Sequence, residues 1–160
     1  MARVIVLMGS KSDLPHVQQI TKALDALGVT SECRVASAHK TVKHLFDILD
    51  RLNAEEGPLV LIAVAGRSNA LAGMLDANTP WPVITCPPVS SSFGGADIYS
   101  SLRMPSGVAP MVILDPEGAA LAACKILATS DRTLRQKVEN YQQAMREAVI
   151  LADDELSSQQ

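Results

Sequence analysis

Two uninterrupted apolar runs constrain this chain more than any other feature: Val-Ile-Val-Leu-Met at residues 4–8 and Leu-Val-Leu-Ile-Ala-Val-Ala at residues 59–65. A strand with one wet face alternates apolar and polar residues, whereas an unbroken run of this length reads as a strand covered on both faces. Helical spacing fills the gaps between such runs. Leu14, Val17, Ile20, Leu24 and Leu27 recur at three- and four-residue steps, and Gly28 ends that helix as a C-terminal cap. Val42, Leu45, Phe46, Leu49 and Leu52 mark a second helix, closed by Gly57-Pro58.

The same alternation continues along the chain. Residues 31–37 form a weaker second strand, 68–77 a short helix and 81–86 a fourth strand. Residues 87–95 show no periodicity and read as a loop. A helix over 96–104 and a fifth strand over 110–114 follow. Asp115-Pro116-Glu117 is a strong helix start, and that helix runs to about Thr129. Five strands, each followed by a helix, predict a three-layer α/β/α flavodoxin-like domain with a five-stranded parallel sheet over residues 1–130. The composition agrees, with 48% hydrophobic residues and only 3% aromatics among 160, as aliphatic helix-on-sheet cores require. One domain is all that this length supports.

Residues 131–160 stand apart. Leu134, Val138, Tyr141, Met145, Ala148 and Ala152 make a heptad-like seam. Docking on the chain's own body is one reading; packing against another subunit is the preferred one, because the five-strand unit is complete without this helix. The tail from Asp153 is polar and expected to fray. No run approaches membrane-span length, and the start lacks the pattern of a secretory signal, so a cytoplasmic protein is expected. A net charge of −3 offers no basic stripe for nucleic acid. Cys33, Cys86 and Cys124 lack disulfide or metal spacing and are expected as buried or half-buried thiols.

In a sheet of this kind, ligands sit beyond the carboxyl ends of the strands, where chain order reverses. Three strand-end loops carry suitable chemistry. Gly9-Ser10-Lys11-Ser12-Asp13 pairs a tight turn with two hydroxyls and the free amides of a helix N-terminus, as a phosphate site would, although Ser and Asp also serve as plain caps. Ser37-Ala38-His39-Lys40 places an imidazole suited to proton transfer near neutral pH in an active-site position, and a structural role for His39 is equally compatible with its spacing. His16 and His44 fall inside helix patterns and read as surface residues. Ala65-Gly66-Arg67-Ser68-Asn69-Ala70-Leu71 brings small residues and backbone donors to a strand end. Arg67 is suited either to hold an anion or to a surface salt bridge, and Lys11, Arg34 and Arg103 share that ambiguity.

Taken with Cys86-Pro87-Pro88, the stretch from Ser100 to Gly107 and Pro116-Glu117-Gly118-Ala119, these segments resemble the aminoimidazole ribonucleotide carboxylase family over roughly residues 3–128. Two departures, Lys40 in place of Arg and Arg67-Ser68-Asn69-Ala70-Leu71 in place of Gly-Gly-Ala-Ala-His-Leu, resemble the animal-type branch, which takes up carbon dioxide directly. The resemblance implies a flavodoxin-like carboxylase that needs no cofactor or metal and assembles as a tetramer or octamer. It further implies that Ser10, Ser12 and Lys40 hold the substrate phosphate and that Asp13 accepts from the ribose hydroxyls. His39 would move the ring proton, while Gly66, Arg67 and Ser68 shape the carbon dioxide pocket. Gly9, Ser37, Ala38, Ala65 and Leu71 complete the substrate-binding set. Three other readings stay open. The mutase reaction of the sister branch is the nearest, followed by a non-catalytic module binding FMN or a phosphometabolite. A signalling receiver domain is the most distant, because it needs an acid cluster where only Asp13 stands.

Overall fold

The computed structural model describes residues 2–159. Its five strands are β1 (Arg3–Met8), β2 (Thr30–Val35), β3 (Leu59–Val64), β4 (Val83–Thr85) and β5 (Met111–Val112). They form one sheet in the order β2-β1-β3-β4-β5, with every neighbouring pair parallel. The helices between them are α1 (Leu14–Ala26), α2 (Val42–Asn53), α3 (Ala70–Asp76), α4 (Tyr99–Leu102) and α5 (Pro116–Leu127), followed by α6 (Arg132–Ser157). This strand order is the flavodoxin-like form of the doubly wound fold, reversing direction between β1 and β3.

The two apolar runs occupy adjacent central strands, and their side chains part strictly by parity. Val4, Val6, Met8, Val60, Ile62 and Val64 face a layer built from α1, α5 and the start of α6. Ile5, Leu7, Leu59, Leu61 and Ala63 face α2 and α3. A two-residue side-chain period therefore feeds two cores at once, which is why neither run contains a polar residue. From α1, Val17, Ile20 and Leu24 are fully buried in the first core, each contributing about 1.5–3 kcal/mol of transfer free energy. Gly28 follows that helix with φ +69, a left-handed conformation natural to glycine.

The weaker strand signals have physical causes. Strand β2 lies at a sheet edge and is mostly exposed or half-buried, so it carries no apolar run. The expected stretches 81–86 and 110–114 shrink to three and two residues of formal strand. Ladder bonds nonetheless extend past both, from Leu61 N to Pro82 O and from Ile113 N to Thr85 O. The helix expected over 96–104 divides into a single 3₁₀ turn at Ala96–Ile98 and the short α4.

Three expectations need correction. Cys33 is exposed, because the edge strand β2 turns it to solvent; Cys86 and Cys124 are buried as expected. His16 is half-buried, with its Nε2 3.4 Å from the Cys86 sulfur. Burial, with the nearby Asp115 carboxylate, pushes the Cys86 thiol up to about 12, so at neutral pH it stays protonated. The C-terminal segment is helical to Ser157 instead of fraying from Asp153, while Gln160 lies outside the described residues. The start of α6 docks on the chain's own body, and its second half does not. Leu134 and Val138 are buried against the body and Tyr141 packs beside them, whereas Met145, Val149, Ile150, Leu151 and Leu156 are exposed. No helix among the described residues is long and apolar enough to cross a membrane.

Candidate active site

Three strand-end loops converge at the switch point between β1 and β3. They enclose a cleft of about 560 Å³ lined by Gly9, Ser10, Ser12, Asp13, Ala38, His39, Lys40, Ala65, Gly66, Arg67, Ser68 and Leu71. Every candidate site residue but one is present. The exception is Ser37. Its hydroxyl accepts from the backbone amides of His39 (3.3 Å) and Lys40 (3.2 Å), and its carbonyl accepts from Thr41 N (3.0 Å). Ser37 thus folds the turn that presents His39 and Lys40, an ST-turn function, and does not line the cleft.

The β1 loop is a compact hydroxyl turn. Ser10 caps a 3₁₀ turn at Lys11–Asp13 by accepting from Ser12 N (3.3 Å), and it also accepts from the Ser12 hydroxyl (2.8 Å). Both contacts use Ser10 as an acceptor, which leaves its own O–H available to a ligand anion. Asp13 makes no side-chain capping bond to α1, so the plain-cap reading of this residue fails. Its carboxyl sits above the usual range because burial penalises the charge, offset partly by the Ser10 backbone amide and by nearby His16.

The β3 loop is the most constrained. A Cβ at Gly66 would meet the Pro88 carbonyl at 3.0 Å, so any larger residue would press on the backbone after β4. Arg67 takes φ +58, the one non-glycine among the described residues in the left-handed region, at a cost of about 1–2 kcal/mol. The following Asn69 is buried and fully bonded. Its amide nitrogen donates to Thr85 Oγ1 (2.7 Å) and Ser101 Oγ (2.9 Å), and its oxygen caps α3 by accepting from Ala72 N (3.3 Å).

The cations resolve by position. Arg34 pairs with Glu32 at 3.0 Å on the edge strand, Arg103 turns back to the Tyr99 carbonyl, and Lys11 is outside the cleft lining. Lys40 and Arg67 line it, and neither has a carboxylate partner among the described residues. Two unneutralised cations, one imidazole, three hydroxyls and a single carboxylate make a cleft suited to a dianionic ligand with sugar-like hydroxyls. The residues that sequence reasoning missed are Asn69 as an anchor, Thr85, Asp97, Ser100 and Ser101. They are short polar side chains whose only sequence signal, a run of turn-forming residues, is the signal of any loop.

A 2-1-3-4-5 doubly wound sheet with such a cleft at its switch point defines a flavodoxin-like domain with a small-ligand site where this fold places one. Residues 3–148 match the family described as AIR carboxylase, and the chain belongs to that family. A phosphoribosylaminoimidazole carboxylase of Archaeoglobus fulgidus is 49% identical over 154 residues, covering 96% of this chain and 84% of that protein. The rat bifunctional phosphoribosylaminoimidazole carboxylase/phosphoribosylaminoimidazole succinocarboxamide synthetase is 43% identical over 136 residues, and the match spans 32% of its length. The crystal structure of Treponema denticola PurE superposes with a TM-score of 0.96 at 42% identity, covering 98% of this chain and 99% of that one.

Proposed function

We propose that this enzyme carboxylates 5-aminoimidazole ribonucleotide directly with carbon dioxide, in purine biosynthesis in the cytoplasm. The observation that carries the proposal is the convergence of His39, the Ser10–Ser12 turn and Arg67 on one cleft. The animal-type reading draws support from Lys40 and Arg67-Ser68-Asn69 in the chain and from its similarity to the rat bifunctional protein.

The substrate's ring is an enamine. Its C4=C5 electron pair attacks the carbon of carbon dioxide, leaving an iminium at C5 and a proton on C4. His39 takes that proton, the pair returns to the ring, and aromaticity is restored. In reverse, the imidazolium returns the proton and carbon dioxide departs. The protein's part is to hold two reactants together and move one proton. Ser10, Ser12 and Lys40 hold the phosphate, with backbone amides at the start of α1 adding donors. Asp13 accepts from the ribose hydroxyls. Arg67 stabilises the carboxylate as its charge develops, beside Gly66 and Ser68. Leu71, Ala38, Ala65 and Gly9 give these groups an apolar or close-packed floor.

Ultraviolet-monitored turnover tests the assignment. Conversion of aminoimidazole ribonucleotide on addition of bicarbonate is the expected outcome. Turnover of the carboxyamino ribonucleotide alone would reassign the protein to mutase chemistry.

Two substitutions test the binding roles. Lys40→Ala should raise KM for the ribonucleotide about tenfold or more, the worth of one charged hydrogen bond, and an unchanged KM would remove Lys40 from the phosphate site. Asp13→Asn separates function from stability. Because the folded-state pKa of Asp13 is raised, ionising it costs folding free energy above that pKa and nothing below the unfolded value. The uncharged amide should therefore hold or raise Tm at pH 7, an advantage that fades as pH falls through the carboxylate range, while KM for the ribonucleotide rises. A lower Tm with native KM would make Asp13 structural only.

The proposed assembly is a tetramer or octamer of this chain. The exposed apolar residues of α6 beyond Tyr141 supply the surface for it, and solution mass measured by light scattering checks it.

A further inference from the structure

Arg67 holds a backbone conformation that its own chemistry disfavours, and both peptide groups flanking its Cα are held from outside. Its N–H donates to Asp97 Oδ2 at 3.1 Å, and its carbonyl accepts from the Ser100 hydroxyl at 3.0 Å. The Ser100 oxygen also accepts from Asn69 N at 3.0 Å, and its one proton is shared between the Arg67 carbonyl and the Asp97 carbonyl at 2.8 Å, which ties the clamp to its own 3₁₀ turn. Fixing the two peptide planes on either side of one Cα fixes φ and ψ together. The segment that does this, a 3₁₀ turn leading into α4, is remote in sequence and supplies no residue to the cleft lining.

We propose that Asp97 and Ser100 are positioning residues for carboxylation, clamping Arg67 in the left-handed conformation that keeps its guanidinium at the cleft. Released from the clamp, Arg67 relaxes toward ordinary right-handed or extended geometry, which redirects its side chain. This rests on the reading of Arg67 as the partner of the incoming carboxylate. The hydroxyl turn after β1 and the turn bearing Lys40 are held by other bonds, so the ribonucleotide side of the cleft is independent of the clamp. Asp97 offers a second oxygen, Oδ1, that is buried and unbonded. An amide at this position keeps the carbonyl oxygen for Arg67 N–H and places its NH₂ where Oδ1 stands, so Asp97→Asn preserves the clamp that Asp97→Ala removes.

The test is steady-state kinetics of the full chain with ribonucleotide and bicarbonate varied separately, with carbonic anhydrase added to keep carbon dioxide equilibrated. Asp97→Ala should lose roughly 10–100-fold in kcat/KM for carbon dioxide, the scale of a small misplacement of a site group, while KM for the ribonucleotide stays near native. Asp97→Asn should recover most of that loss. Ser100→Ala removes only half the clamp and should show the same pattern, more weakly. On an Arg67→Ala background, Asp97→Ala should cost nothing further, because coupled residues are non-additive. A fall in Tm with native carbon dioxide dependence would make Asp97 merely structural and overturn the clamp, as would full additivity with Arg67→Ala. If Arg67→Ala itself shows native carbon dioxide dependence, the reading of Arg67 falls and the clamp with it. An impaired Arg67→Ala beside a native Asp97→Ala would sink the clamp alone.

Discussion

His39→Asn should fold as the native protein does, bind the ribonucleotide with little change in KM, and turn over about 10²–10⁴-fold more slowly, the usual contribution of a positioned general acid–base. The separation of folding from rate follows from where the residue sits. His39 is exposed, at the mouth of the cleft, and its structural bond is made by its backbone amide to Ser37 Oγ. Asparagine keeps that amide and fills similar space, so neither the turn nor Lys40 beside it should move. What disappears is a ring nitrogen that can accept a proton from carbon, which an amide cannot do. The loss should appear in kcat for carboxylation and for the reverse decarboxylation alike, because one proton position serves both directions. Circular dichroism and Tm matching the native protein, together with a native rate, would remove His39 from the chemistry and leave the cleft as a binding site.

How much of this was legible in the sequence depends on how each element earns its stability. Strands β1 and β3 are buried on both faces, so their composition alone declared them. The starts of α1 and α5 carry Pro in the first turn, and Asp115 accepts from Gly118 N as its position predicts. Edge strands carry weaker signals: β2 is half exposed, and β5 has only two residues of formal strand directly after Pro110, which has no N–H to give the ladder. The cleft was legible because topology dictates where loops after β1, β2 and β3 meet, and twelve of the thirteen candidate residues line it. Ser37 stands outside the lining, its hydroxyl accepting from the amides of His39 and Lys40; a serine satisfies backbone amides as readily as it meets a ligand, and nothing local distinguishes the two. The segment from Pro87 to Arg103 was legible only as a loop over 87–95 and a helix from 96, with nothing to show what it touches. Its work is done by hydrogen bonds to Arg67 and Asn69 roughly thirty residues away, and non-local polar bonds leave no periodicity to read.

Asn69→Ala should be the most destabilising single polar substitution near the site, by about 2–4 kcal/mol. Three side-chain bonds vanish at once, to Thr85, Ser101 and Ala72 N. Each contributes about 1 kcal/mol net, and the groups left unsatisfied in a buried setting add their own desolvation cost. Asn69 is 3% exposed, Thr85 0% and Ser101 1%, so water cannot easily replace the missing amide. For a chain of this length the change corresponds to a fall in Tm of roughly 4–16 °C, at about 2–4 °C per kcal/mol. Asn69→Asp discriminates between shape and hydrogen bonding. It keeps the oxygen that caps α3 and the side-chain volume, but it offers acceptors where Thr85 and Ser101 received donors. If capping of α3 were the whole role of Asn69, the aspartate would be near native, since Asp caps as well as Asn. If the residue instead ties β4 and α4 to the active-site loop, the aspartate should be nearly as destabilised as the alanine at pH 7 and should recover as pH falls and the carboxyl takes up a proton, because the folded state then binds that proton more tightly than the unfolded one. A pH-independent Tm for Asn69→Asp would show that the polar junction beneath Arg67 is wet and loosely coupled, and that the loop draws its rigidity from Asp97 and Ser100 alone.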